Sequence, residues 1–128
     1  MPFDRPTKTE LIQATQEYLQ QSIQPGNSQT PSNTSTFNTR IASNILKVVE
    51  RELTLGDALN QQEQNRLQHL LDKQGSLDEL NQYLTLAIRE KHIAYDDPNL
   101  RRHLQQTALG KLSVDNPKYS TYKRLYQQ

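Results

Sequence analysis

Apolar residues recur three and four positions apart along most of this chain, and the polar stretches between them hold residues that start and stop helices. Leu11, Ala14, Thr15, Tyr18, Leu19 and Ile23 follow helical spacing. Thr7, three residues before Glu10, has the form of a capping box, so the pattern predicts a helix over 7–23 that Pro25 and Gly26 stop. Residues 24–36, "QPGNSQTPSNTST", contain no large apolar side chain. A segment that buries so little cannot offset its ordering entropy, and a flexible loop is expected there.

The periodicity then resumes. Phe37, Ile41, Ile45, Val48 and Val49 mark a helix over 37–54 with Gly56 as its stop. Asp57 reads as the cap of a third helix, in which Leu59, Leu67, Leu70 and Leu71 share a face and Gly75 forms the end. Ser76 and Glu79 repeat the capping-box form ahead of Leu77, Leu80, Leu84, Ala87 and Ile88, a fourth helix that ends near His92. Asp97-Pro98 and Asn116-Pro117 announce helices over 98–113 and 117–126, because proline at the first helical position loses no hydrogen bond and the Asx side chain accepts from a free N–H. Sustained alternation of period two is missing and Val and Ile are few, which argues against a sheet. The expected fold is all-α: one domain over 1–128, a bundle of about six helices with a flexible polar loop between the first two.

Composition narrows the function classes. With 33% hydrophobic residues and a mean hydropathy of -0.91, the apolar side chains must be concentrated on a few faces. No run of about 18 apolar residues is present to span a membrane, and the N-terminus lacks an apolar signal-peptide region, so a cytoplasmic location is the expectation. The chain has no cysteine, which excludes disulfides, thiolate nucleophiles and sulfur-ligated metals. His69, His92 and His103 are scattered without metal-ligand spacing and read as ordinary surface or boundary residues; neither a metal nor another cofactor is expected. With no glycine-rich phosphate loop, no GxSxG and 4 glycines in all, no catalytic residues are assigned and no enzyme is expected. The adjacent Asp96 and Asp97 are explained by capping.

Charge is uneven. Residues 1–99 carry 9 basic and 13 acidic side chains, whereas residues 100–128 carry 6 basic and 1 acidic. The basic C-terminal block either docks on the acidic remainder of its own fold or meets an acidic external partner. Tyr119, Tyr122 and Tyr126 share a helical face among Lys118, Lys123 and Arg124. That mixture suits a docking seam, and it could also take single-stranded nucleic acid, against which a net charge of only +1 argues.

Two features of the second predicted helix stand out. Glu52 falls inside the apolar arc, about 20° from Ile41 on a helical wheel, so it is either at the fraying helix end where the arc meets solvent or buried and obliged to find a partner. Arg40, Asn44, Lys47 and Arg51 lie within about 60° of one another just outside that arc, a polar ridge able to hold a carboxylate or phosphate or to pair with acidic residues of a neighbouring helix.

The stretches "DRPTKTELIQATQEYL" (4–19), "FNTRIASNILKVVERELTLG" (37–56) and "LSVDNPKYSTYKR" (112–124) together resemble a family of small bacterial all-helical domains of unknown function. Members of that family are commonly encoded beside an aminoglycoside-phosphotransferase-like kinase and an acyl-CoA dehydrogenase. Its pattern includes residues found here as Arg40, Asn44, Arg51 to Leu53 and Asp115 to Tyr119, and the polar segment 24–36 is longer here than in that pattern. The resemblance implies an accessory or partner protein in an acyl-CoA setting, with a kinase-like or acyl-CoA dehydrogenase partner. The expected site is a polar cluster in which Arg40, Asn44, Arg51 and Glu52 meet Asp115, Asn116 and Tyr119, either as a structural lock or as a recognition surface. The alternative is a small-molecule-binding subunit in which Arg40 and Arg51 hold a phosphorylated or CoA-linked ligand.

Overall fold

The computed structural model describes residues 4–22 and 33–126. Every regular element among them is helical: α1 (Lys8–Ser22), α2 (Asn33–Leu71), α3 (Leu77–Arg89), α4 (Pro98–Asp115) and α5 (Ser120–Tyr126). The sequence pattern predicts six helices, and the difference lies in α2. Gly56 and Asp57 do not separate two helices; both sit inside one 39-residue helix. An interior glycine costs about 1 kcal/mol relative to alanine, less than the unsatisfied backbone groups that two new helix ends would create. α2 also begins earlier than expected, so residues 33–36 are helical where a loop was predicted. The rest of that predicted loop lies outside the described residues.

Two compact units partition the chain, Asp4–Thr54 and the described residues from Leu55 onward, and α2 contributes to both. In the first, the Thr7 hydroxyl accepts from the Glu10 N–H at 3.2 Å, and Arg5 holds the Glu10 carboxylate at 2.6 Å, drawing it below the usual carboxylate range. The buried residues of this unit are Thr15, Ala42 and Val49. Thr15 satisfies its hydroxyl on the Leu11 carbonyl at 2.8 Å.

The second unit has the larger core. Leu67 of α2, Leu80 and Leu84 of α3 and Leu100 of α4 cluster at its centre, with Leu70, Leu71, Leu77, Ile88 and Ile93 packed around them. Each fully buried leucine contributes roughly 1.5–3 kcal/mol relative to an exposed one. Helix ends in this unit are built from side chains and backbone together. Ser76 and Glu79 form the predicted capping box at 3.2 and 3.0 Å. Asp97 Oδ1 accepts from the N–H groups of Asn99 and Leu100 at 2.8 and 3.0 Å, with Pro98 in the first helical position.

Two helix ends depart from expectation, and that of α3 falls close to it. α2 stops at Leu71 because Asp72 takes a left-handed conformation (φ 50°), and the Lys73 N–H returns to the Gln68 carbonyl; Gly75 plays no part in that stop. α3 stops at Arg89, close to the expected end near His92; Lys91 just beyond it is left-handed (φ 62°), and the N–H groups of Lys91 and His92 bond to the carbonyls of Ile88 and Ala87. Asn116 does not cap a helix opened by Pro117. Its N–H is used on Leu112, closing α4, and its carbonyl accepts from Tyr119 at 3.1 Å. Asn116 to Tyr119 is therefore a β-turn with proline in its favoured second position, and α5 starts three residues later than the pattern predicts. No described helix is long and apolar enough to cross a membrane.

Candidate functional site

In the second unit, α2 and α4 lie antiparallel in a tight register. Leu59 of α2 faces Gly110 of α4, where an added Cβ would come within 3.3 Å of Leu59 Cδ2. Seven residues further along α2 is Arg66; seven residues back along α4 is His103. The two meet: Arg66 Nε donates to His103 Nδ1 at 3.3 Å, and Arg66 Nη2 donates to Thr107 Oγ1 at 3.1 Å. Leu59, Glu63 and Arg66 share one face of α2 by i, i+4, i+7 spacing, as do His103, Thr107 and Gly110 on α4. The absence of a side chain at Gly110 permits the close approach that brings these polar groups together.

Burial shapes their chemistry. Glu63 and His103 are each only 4% exposed. Desolvation foremost, and then the neighbouring Arg66 charge, push the His103 pKa below its ordinary value, partly opposed by Glu63. With Nδ1 accepting from Arg66, the neutral ring carries its proton on Nε2. Desolvation also lowers the Arg66 pKa, and the Glu63 carboxylate opposes that shift. A guanidinium remains charged throughout the physiological range, so this is a charged, partly desolvated fork held in one orientation by two acceptors.

Arg66 also sits where two cavities adjoin. One, of about 460 Å³, is lined by Arg66, His69, Leu70, Asn99, Arg102, His103 and Gln106. The other, of about 400 Å³, shares Arg66 and Gln106 and is walled by Leu55, Leu59, Leu109, Tyr122 and Tyr126. Tyr122 and Tyr126 stack with ring centroids 5.5 Å apart. One end of this groove is cationic, and the other is apolar and aromatic.

The residues singled out from sequence are divided between the two units. Arg40 and Asn44 are exposed on the N-terminal part of α2, and Arg51 and Glu52 are half-buried there. Glu52 has a cation at hand within its own unit: Lys8 Nζ of α1 lies 3.8 Å from its Oε1. Asp115, Asn116 and Tyr119 belong to the other unit, at the end of α4 and in the turn that follows, and all three are exposed. The apolar arc of α2 is also less covered than its pattern implies. Val49 is buried and Ile45 and Val48 are half-buried, but Phe37 is 63% and Ile41 42% exposed. His69 and His92 are exposed, the latter 3.2 Å from Glu90, whereas the reading of His103 as a surface or boundary residue is wrong. The i, i+3 pair Glu63/Arg66 and the i, i+4 pair His103/Thr107 were visible in the sequence, and each marks one helix face.

The sequence profile of the DUF6285 domain of unknown function matches residues 29–119. The chain belongs to the DUF6285 family. The matched region takes in α2, α3 and α4, and with them all four residues of the Glu63, Arg66, His103 and Thr107 group, while α1 and α5 fall outside it. No match to the chain was found among curated proteins or among solved structures.

Proposed function

We propose that this DUF6285 protein is a non-catalytic interaction module whose first unit docks a protein partner. The observation that carries the reading is the surface at the start of α2, where Phe37 and Ile41 stand exposed one turn apart beside Arg40. Exposed apolar side chains bordered by charge mark protein contacts more often than scattered single ones do. Arg40 and Lys47, seven residues apart on the bordering ridge, enter no ion pair with any described residue. They fit a partner segment that presents apolar side chains next to carboxylates.

A shallow apolar cavity of about 180 Å³ adjoins this surface, with Ile41, Ala42 and Ile45 of α2 facing Ala14 and Tyr18 of α1. It would seat one bulky anchoring side chain. The resemblance to domains encoded beside a kinase-like protein and an acyl-CoA dehydrogenase supplies the two partners to test first.

The test is co-purification of each candidate partner with the wild-type chain and with the double variant Phe37→Ser/Ile41→Ser. Phe37 is mostly exposed and Ile41 partly so, and the double variant is expected to stay folded, melting within about 1–2 kcal/mol of wild type. It is expected to lose the partner, because truncation of a central apolar anchor costs about 2 kcal/mol or more in binding. Retention of the partner by the double variant would refute the docking surface, and capture of neither candidate by the wild type would refute the assigned partners.

A further inference from the structure

The larger of the two cavities beside Arg66 has an unusual lining: two arginines, two histidines and two carboxamides, with no carboxylate. We infer that it binds the dianionic head of a phosphomonoester, with Arg66 and Arg102 as the two cationic partners and the His103 Nε2–H as a neutral donor between them. The site uses none of the Phe37/Ile41 surface and stands independently of the docking proposal.

Three observations carry it. Arg66 is preorganised: its bonds to His103 and Thr107 use Nε and one N–H of Nη2 and fix the guanidinium plane, while Nη1 makes no hydrogen bond with any described residue. A fork already held in place loses little side-chain entropy when an oxyanion arrives. Arg102 is exposed and enters no ion pair among the described residues, so its charge is available to the cavity it lines. His103 is nine-tenths buried, its Nδ1 is occupied, and no described residue accepts from its Nε2, which leaves one buried donor on the cavity wall. Two guanidinium charges match a phosphate dianion better than a single carboxylate, and their forks suit its tetrahedral oxygens.

The adjoining cavity gives the rest of the ligand its character. Because it shares Arg66 and Gln106 with the first and is walled by Leu59, Leu109 and the stacked pair Tyr122/Tyr126, the organic body of the ester is apolar or aromatic. A ligand spanning both would place its phosphate against Arg66 and Arg102 and its body along the leucines and tyrosines.

The experiment is isothermal titration calorimetry of the full chain with hexyl phosphate, inorganic phosphate and hexanoate, repeated with Arg102→Ala and Tyr126→Ala. Both replaced side chains are exposed. Hexyl phosphate is expected to bind saturably and at least tenfold more tightly than inorganic phosphate, since its alkyl chain is buried against the leucines and tyrosines. Arg102→Ala should weaken both phosphates about tenfold or more, the usual loss for a hydrogen bond to a charged group. Tyr126→Ala should weaken hexyl phosphate and leave inorganic phosphate unchanged. No saturable binding of either phosphate, or equal binding by Arg102→Ala, overturns the site. Hexanoate binding as tightly as hexyl phosphate overturns the assignment of a phosphate head. Equal affinity for the two phosphates, or indifference of hexyl phosphate to Tyr126→Ala, overturns the apolar extension.

Discussion

Replacing Arg66 by methionine keeps most of the side-chain volume and removes the guanidinium. Two hydrogen bonds disappear, to His103 Nδ1 and Thr107 Oγ1, each contributing about 1 kcal/mol. The buried Glu63 carboxylate also loses the attraction of that nearby positive charge, a further electrostatic cost. Arg66 is half-buried, so solvent screens part of that second effect; together the losses come to about 2–4 kcal/mol. Urea unfolding followed by far-UV circular dichroism measures it as a lower midpoint at unchanged slope. Arg66→Lys separates the contributions, because lysine restores the charge near Glu63 without the fork that reaches both acceptors, and it should recover about half of the loss. A double-mutant cycle of Arg66→Met with Glu63→Gln isolates the electrostatic share. If Arg66→Met unfolds within about 0.5 kcal/mol of wild type, the hydrogen-bonded seam between α2 and α4 does not contribute to holding them together.

Further outcomes follow from single contacts. His103 titrates below its ordinary value in the folded chain, so the unfolded chain binds the extra proton first; stability should fall as pH drops through about 6.5 and level off below the folded pKa. His103→Asn, which keeps an acceptor near Nδ1, should flatten that part of a pH series of urea melts. Gly110→Ala gains up to about 1 kcal/mol of helix propensity but sets a Cβ 3.3 Å from Leu59, so its net effect should be under about 0.5 kcal/mol, whereas Gly110→Val should destabilise by about 1–3 kcal/mol in the same assay. Asp97→Ala removes a side chain that accepts from two N–H groups and should lower thermal stability by about 1 kcal/mol, while Asn116→Ala, at a position bonded through its backbone, should lower it by less than half of that.

The parts of the fold that were legible from sequence are those decided within four or five residues. The Ser76/Glu79 capping box and the Asp97-Pro98 start each combine a side-chain acceptor with a free N–H two or three residues on, and nothing distant competes with them. Asn116-Pro117 shows the limit of that reading. The same dipeptide opens a helix or occupies the first two positions of a β-turn, and the choice depends on where α4 ends, at Asp115. Likewise Asp72, not a glycine, adopts the left-handed conformation expected of Gly75, and Lys91 adopts it beyond the end of α3. Asp and Lys accept a small backbone cost there because the terminal carbonyls of Gln68 and Ala87 gain donors in return.

The Arg66 seam was out of reach because no local rule reaches across it. Its members are separated by 37 and 41 residues, so local spacing cannot show that they touch. Within the second unit, Leu59, Glu63 and Arg66 lie on one face of α2 by i, i+4, i+7 spacing, but that spacing names no partner helix. Leu59, Arg66, His103 and Gly110 all belong to that unit, so the register is set there, by the contact of Leu59 with Gly110. From that contact a seven-residue step along each helix leads to Arg66/His103, where the imidazole is buried and the guanidinium is held by its bonds to His103 and Thr107.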